Sequence, residues 1–91
     1  MLTTVEVEVT QQMIDEGERG ACAYCPVAKG LMAATNRRWL VAEGGTAASE
    51  LTPGRNVCVQ LPLSCRAFVS AFDRRQSVQP FSFPFTYDRV I

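Results

Sequence analysis

Three segments of the chain alternate apolar with polar residues, at 5–9, 57–61 and 81–87. Because successive side chains of a strand point to opposite faces of a sheet, this period of two predicts half-buried β-strands. The last segment puts four aromatic residues on one face and proline on the other. Since proline cannot donate to a sheet ladder, we expect an edge strand or a partly paired arm there.

Two further segments predict a meander around the second alternating strand. Residues 38–42 are short, apolar and followed by Gly44-Gly45, which favours a strand that enters a tight turn. Residues 46–51 are interpreted as the returning strand, and Pro53-Gly54 suits a type II turn into the strand at 57–61. The sequence thus predicts two or three consecutive antiparallel strands.

Helix start signals occur at two places in the first half of the chain. Thr10 is expected to cap one or two turns of helix, and Gly17 and Gly20 bound this helical segment. Pro26 suits the first position of the next helix, which makes Cys25 its N-cap, and the apolar spacing predicts a helix over 26–35.

The clearest amphipathic helix is predicted at 63–75, with Ser64 as the capping residue. Arg74 and Arg75 are expected in its last turn, where positive charge complements the helix dipole. Its apolar positions recur at i, i+3, i+4 and i+7, and they are Cys65, Phe68, Val69 and Phe72.

These elements predict an α+β fold with a mostly antiparallel sheet of about four to five strands. The two main helices, 26–35 and 63–75, are expected to pack on one face of that sheet. With 91 residues, the chain is expected to form a single small domain over 1–91. A core of this size is marginal on its own, so a metal, a disulfide or self-association would add stability.

Charge and composition narrow the classes of function. The net charge is zero, which makes nucleic acid an improbable partner. No apolar run approaches the roughly 20 residues that span a bilayer, and the N-terminal pattern is not that of an export signal. We therefore expect a cytoplasmic protein without membrane contact.

The charged residues are unevenly distributed along the chain. Residues 1–18 hold five acidic and no basic residues, whereas the remainder holds nine basic and four acidic ones.

The absence of histidine excludes any mechanism that needs an imidazole, and no nucleotide-binding loop is present. The cysteines are the remaining candidates for a metal site or a reactive group. A Cys22-x-x-Cys25 pair, completed by Cys58 and Cys65, could form a four-thiolate zinc site. The wider spacing of the second pair and the proline after Cys25 argue against that site, so no cofactor is the leading expectation.

A second hypothesis makes Cys25 a reactive thiolate, because unpaired N–H groups at a helix start favour the anion. Cys22 would then resolve it as a disulfide. The proline after the second cysteine departs from thioredoxin-type sites, which place the nucleophile first. Cysteines that only pack or cap a helix are the third interpretation.

The terminal aromatic residues have two interpretations. Strict alternation is typical of side chains that face a core. If they were exposed, the strand would pair with another chain and offer an interaction surface. The residues concerned are Phe81, Phe83, Phe85 and Tyr87.

Because no catalytic set assembles from these residue types, the leading functional hypothesis is a non-enzymatic accessory or interaction protein. Its partner would be another protein or a second copy of the chain. The zinc module and the thiol-redox protein remain the alternatives.

Three segments of the chain are similar to segments of a known group of proteins. They are 10–20, Cys25-Pro26-Val27-Ala28 and 68–83. In their order they resemble small uncharacterised proteins of phage and actinobacterial genomes, which have a Cys-Pro-[Val/Ile]-Ala helix start. The resemblance implies a capping or reactive role for Cys25 over a metal site. It also implies a phage accessory protein that acts by binding a host component, and it brings no known activity.

Overall fold

The computed structural model describes residues 2–19, 23–42, 45–52 and 55–88. It confirms an α+β fold with five antiparallel strands, but it divides the strands between a two-stranded and a three-stranded sheet. The elements follow in the order β1 (Leu2–Val9), α1 (Gln11–Glu16), α2 (Pro26–Thr35), β2 (Leu40–Val41), β3 (Thr46–Thr52), β4 (Arg55–Gln60), α3 (Leu63–Asp73) and β5 (Phe81–Asp88).

Strands β1 and β5 form a two-stranded antiparallel ribbon in which Val9 lies opposite Phe81 and Leu2 opposite Asp88. The odd-numbered side chains of both strands share one face, which turns apolar groups inward. Pro84 lies opposite Glu6 on the outer face. Among the described strands β5 pairs with β1 alone, so the predicted proline-bearing edge strand is confirmed.

The predicted meander is the three-stranded sheet β2-β3-β4. Its inner face carries the buried side chains of Val41 and Ala47. Strand β2 has only two residues, fewer than predicted, and the Arg38 carbonyl before it accepts a 2.6 Å hydrogen bond from the Ser49 hydroxyl. The predicted Pro53-Gly54 turn lies outside the described residues.

The core lies on the apolar face of the β1–β5 ribbon. The Trp39 indole packs edge-on against Phe85, with ring centroids 5.1 Å apart. Helix α3 reaches this face through Phe68, whose ring centroid lies 4.8 Å from that of Phe81. Helix α2 reaches it at Gly30, where an added Cβ would lie 3.2 Å from a Val7 methyl group. Both main helices therefore contact the face that the alternation predicts.

The beginning and the end of α3 differ from the prediction. Pro62 is the N-cap residue, and its carbonyl accepts from the backbone N–H groups of Cys65 and Arg66 at 3.0 and 3.3 Å. Ser64 is exposed within the first turn and makes no capping hydrogen bond, so its predicted role is wrong. The cause is that Pro62, which suits extended backbone at the N-cap, starts the helix two residues earlier.

Arg74 and Arg75 lie beyond the last helical residue and not in the last turn. The Arg75 N–H donates to the Phe72 carbonyl at 3.1 Å, which closes a tighter turn, and Arg75 has a φ of 61°. That left-handed residue ends the helix. The side chain that contacts the helix end is Arg19, which is distant in the sequence. Its Nε donates to the same Phe72 carbonyl at 3.1 Å.

Candidate functional site

Cys25 is the N-cap of α2, as predicted, and is 4 % exposed. Its Sγ accepts a hydrogen bond from the Ala28 N–H at 3.4 Å, and Pro26 fills the first helical position. A sulfur in this place satisfies a helix N–H that has no partner within the helix. The side chain thus caps the helix.

Cys65 is buried on the inner side of α3 with no exposed surface. Burial raises the pKa of the Cys65 thiol to about 12, against a smaller lowering by a hydrogen bond with Ser64. The thiol therefore stays protonated at neutral pH, and a protonated thiol is a poor nucleophile and metal ligand.

Cys58 lies exposed on β4, opposite Ala48 of β3. Within the described ranges, which include Cys25, Cys58 and Cys65, no three residues of ligand type form a group that could hold a metal. Cys22 lies outside the described residues. The three described cysteines do not assemble the four-thiolate site, and both zinc binding and a Cys22–Cys25 disulfide stay predictions.

The alternating aromatic residues of β5 belong to the core. Phe83 and Phe85 are each 2 % exposed, Tyr87 is buried and Phe81 is half-buried. Pairing with β1 fixes this orientation, because it turns the odd-numbered side chains toward Trp39. These side chains therefore offer no exposed interaction surface in a single copy of the chain.

The outer face of the three-stranded sheet is partly exposed, and its described side chains are uncharged. The strand register places Leu40, Ala48 and Cys58 in one row across β2, β3 and β4. Leu40 is 50 % exposed, and Thr46 pairs with Gln60 in the next row. These five residues define the outer sheet face: Leu40, Thr46, Ala48, Cys58 and Gln60.

A shallow groove of about 250 Å³ lies where residues of β1 and of helix α2 meet at the surface. The carboxylates of Glu6 and Glu8 line it together with small and apolar side chains. We call it the acidic groove, and its lining residues are Glu6, Glu8, Thr10, Met13, Gly30, Ala33 and Ala34. Sequence reasoning missed it, although the glutamates of β1 and the glycine in α2 are the signals from which it could have been found.

A positively charged turn, opposite in charge to the acidic groove, follows α3. Residues 74–77 are all exposed, and they begin with Arg74 and Arg75. The backbone N–H of Gln76 donates to the Ala71 carbonyl at 2.9 Å and holds this segment against the helix end. We call residues 74–77 the arginine turn.

Within the described ranges, no helix has the length and apolar character needed to cross a bilayer. The longest helix, α3, has 11 residues. No protein-family model, curated protein or solved structure matches this chain.

Proposed function

We propose that the chain is a small, non-enzymatic interaction domain that binds a partner protein through the outer sheet face. The observation that supports the proposal is the apolar row that crosses this face, formed by Leu40, Ala48 and Cys58, in which Leu40 is half exposed. An antiparallel sheet with one solvated face ordinarily carries polar residues there. The row of Leu40, Ala48 and Cys58 departs from that pattern, and exposed apolar surface that is contiguous marks interaction sites.

The sheet also leaves strand edges for pairing. In the described part of the chain β2 and β4 are the outer strands of the three-stranded sheet, and each pairs only with β3. An unpaired strand edge presents backbone donors and acceptors that an incoming strand can use. A partner could therefore combine side-chain contact on the face with backbone pairing at its edge.

The test compares two leucine variants. Leu40→Glu places a charge on the outer sheet face, whereas Leu63→Glu places the same charge on α3 at a side chain that is 77 % exposed. A partner captured by the wild-type chain is identified by mass spectrometry and titrated as purified protein. We expect Leu40→Glu to weaken binding at least about tenfold, because the partner would cover an unpaired charge, and Leu63→Glu to bind as the wild type does.

Equal binding by Leu40→Glu and the wild type would contradict the proposed surface. Turnover on a broad substrate panel that Cys25→Ser abolishes would contradict the non-enzymatic role. The resemblance to small phage proteins is the basis for proposing that the partner is a host component.

A thiol-redox role for Cys25 is the second candidate, and the hydrogen bond from the Ala28 N–H to its Sγ favours it. Such a site predicts alkylation of Cys25 near neutral pH that is faster than alkylation of the exposed Cys58. Slower alkylation of Cys25 than of Cys58 would end this candidate and leave the cap role.

A further inference from the structure

Two carboxylates of the acidic groove carry negative charge that the described part of the chain does not balance. Glu6 and Glu8 are exposed on β1, and no hydrogen bond or ion pair reaches either side chain within the described ranges. Their cross-strand neighbours are Pro84 and Ser82, which are uncharged. As residues i and i+2 of a strand they project from the same face, roughly 7 Å apart along it.

Apart from Thr10, the other residues that line the groove are small or apolar. Gly30 has no side chain, Ala33 and Ala34 have only methyl groups, and Met13 adds a flexible apolar side chain. Long cationic side chains bury their methylene stems on apolar surface and keep the charged head at a polar rim. The acidic groove therefore combines the two surfaces that an arginine side chain prefers.

The same chain carries exposed arginines that match this groove. Arg74 and Arg75 head the arginine turn, and within the described residues neither side chain makes an ion pair or a hydrogen bond. The backbone of the turn is held by the bonds from Arg75 to Phe72 and from Gln76 to Ala71. A segment that is already ordered loses less conformational entropy on binding.

We propose that the acidic groove of one copy binds the arginine turn of a second copy. Charge complementarity favours this occupant, because each copy presents both an unbalanced acidic surface and an unbalanced basic one while its net charge is zero. The two surfaces differ, so the contact is heterologous and repeats head to tail into a ring or an open chain. The inference goes beyond the proposed function, because it does not use the outer sheet face.

The test measures the mass of the full chain by sedimentation equilibrium over a range of protein concentrations. Exposed ion pairs are screened by salt, since the Debye length shortens from about 10 Å at 0.1 M to about 3 Å at 1 M. We expect a concentration-dependent increase in mass at low salt that is lost at high salt. Glu6→Arg with Glu8→Arg, and separately Arg74→Glu with Arg75→Glu, should each yield monomer at low salt.

Mixing these two variants gives the decisive measurement. Each variant repels its own copies, but the reversed groove of the first complements the reversed turn of the second, so the mixture should associate again. Asp15→Arg with Glu16→Arg is the matched control, because it makes the same change of net charge on α1, outside the groove. The control should associate as the wild type does.

The milder replacements Glu6→Gln with Glu8→Gln test the same contact if the arginine variants fail to fold, and they should weaken association. A wild-type chain that stays monomeric at low salt would overturn this proposal. The proposed function of the outer sheet face would not be affected by that result. A mixture that fails to associate, or a control that loses association with the others, would also overturn it. So would a monomeric chain whose groove binds an arginine-rich peptide, because the occupant would then be a foreign cationic segment.

Discussion

The indole N–H of Trp39 donates a 2.8 Å hydrogen bond to the hydroxyl of Thr35. That hydroxyl in turn donates to the Leu31 carbonyl at 2.7 Å, within the last turn of α2. Trp39 is 1 % exposed and contacts the aromatic residues of β5. One side chain at the end of α2 therefore provides an acceptor for the indole N–H, the only polar group in the Trp39 side chain.

Thr35→Val should lower the free energy of unfolding by about 1–3 kcal/mol, because it leaves a buried indole N–H without an acceptor. Thr35→Ser keeps the hydroxyl and removes one methyl group, so a loss of about 0.8 kcal/mol or less is expected. Urea denaturation followed by tryptophan fluorescence compares the two variants. Equal losses would mean that the methyl group, and not the hydrogen bond, stabilises this position.

Gly30→Ala should destabilise the protein although alanine favours helices. An added Cβ would lie 2.9 Å from the Glu8 carbonyl oxygen, so α2 would have to move away from β1. We expect a loss of about 1–3 kcal/mol in the free energy of unfolding, as for other overpacked cores.

The control for this contact is Ala33→Gly, at an exposed position of the same helix. Helix propensity alone predicts a loss of about 1 kcal/mol there. If Gly30→Ala instead raised the melting temperature, the close approach of α2 to β1 would be incorrect.

Cys25→Ala should cost about 1 kcal/mol in the free energy of unfolding, because it removes the acceptor for the Ala28 N–H at the start of α2. Cys25→Ser restores an acceptor at the N-cap and should recover most of that loss. Thermal unfolding of both variants under reducing conditions makes the comparison. A serine variant as unstable as the alanine variant would show that the sulfur stabilises by packing and not by capping.

The buried thiol of Cys65 predicts a loss of stability at alkaline pH. Its pKa is raised from 9.0 to about 12 by burial, so the unfolded chain releases this proton at lower pH than the folded chain does. Between these two values the folded state binds more protons, and the free energy of unfolding falls as pH rises, by up to about 1.4 kcal/mol per pH unit. Well below pH 9.0 both states keep the proton, and this group contributes no pH dependence.

Denaturant unfolding at several pH values, from neutral to alkaline, checks this behaviour. Cys65→Ala should flatten the alkaline slope even if it lowers stability at neutral pH, whereas Cys58→Ala removes an exposed thiol and should keep the slope. An unchanged slope in Cys65→Ala would assign the alkaline effect to other groups.

Most helices and strands could be predicted from the sequence, because the signals that start them, end them and set their buried face come from residues that are close together in the chain. The start of α2 at Cys25-Pro26 and its end at Asn36, which has a φ of 55°, follow from capping preferences. The misplaced cap of α3 shows the limit, because Pro62 and Ser64 both suit the start of a helix, and the sequence pattern alone did not choose between them.

Contacts between distant segments could not be predicted in the same way. Strand patterns gave the inner faces but not the division into two sheets, since alternation does not say which strand lies beside which. The acidic groove and the bond from Arg19 to the Phe72 carbonyl depend on segments that meet only in the folded chain. The cysteine hypotheses rested on spacing alone, and spacing did not bring Cys58 and Cys65 together with Cys25.

The pairing of β1 with β5 also determines when the protein can fold. The hydroxyls of Thr4 and Thr86 lie 2.8 Å apart although 82 positions separate them in the chain. Such long-range contacts must overcome the entropy of closing a long loop, which slows folding. During synthesis, Val7 and Trp39 leave the ribosome well before Phe83 and Phe85, so the nascent chain holds an incomplete core with exposed apolar surface until β5 arrives.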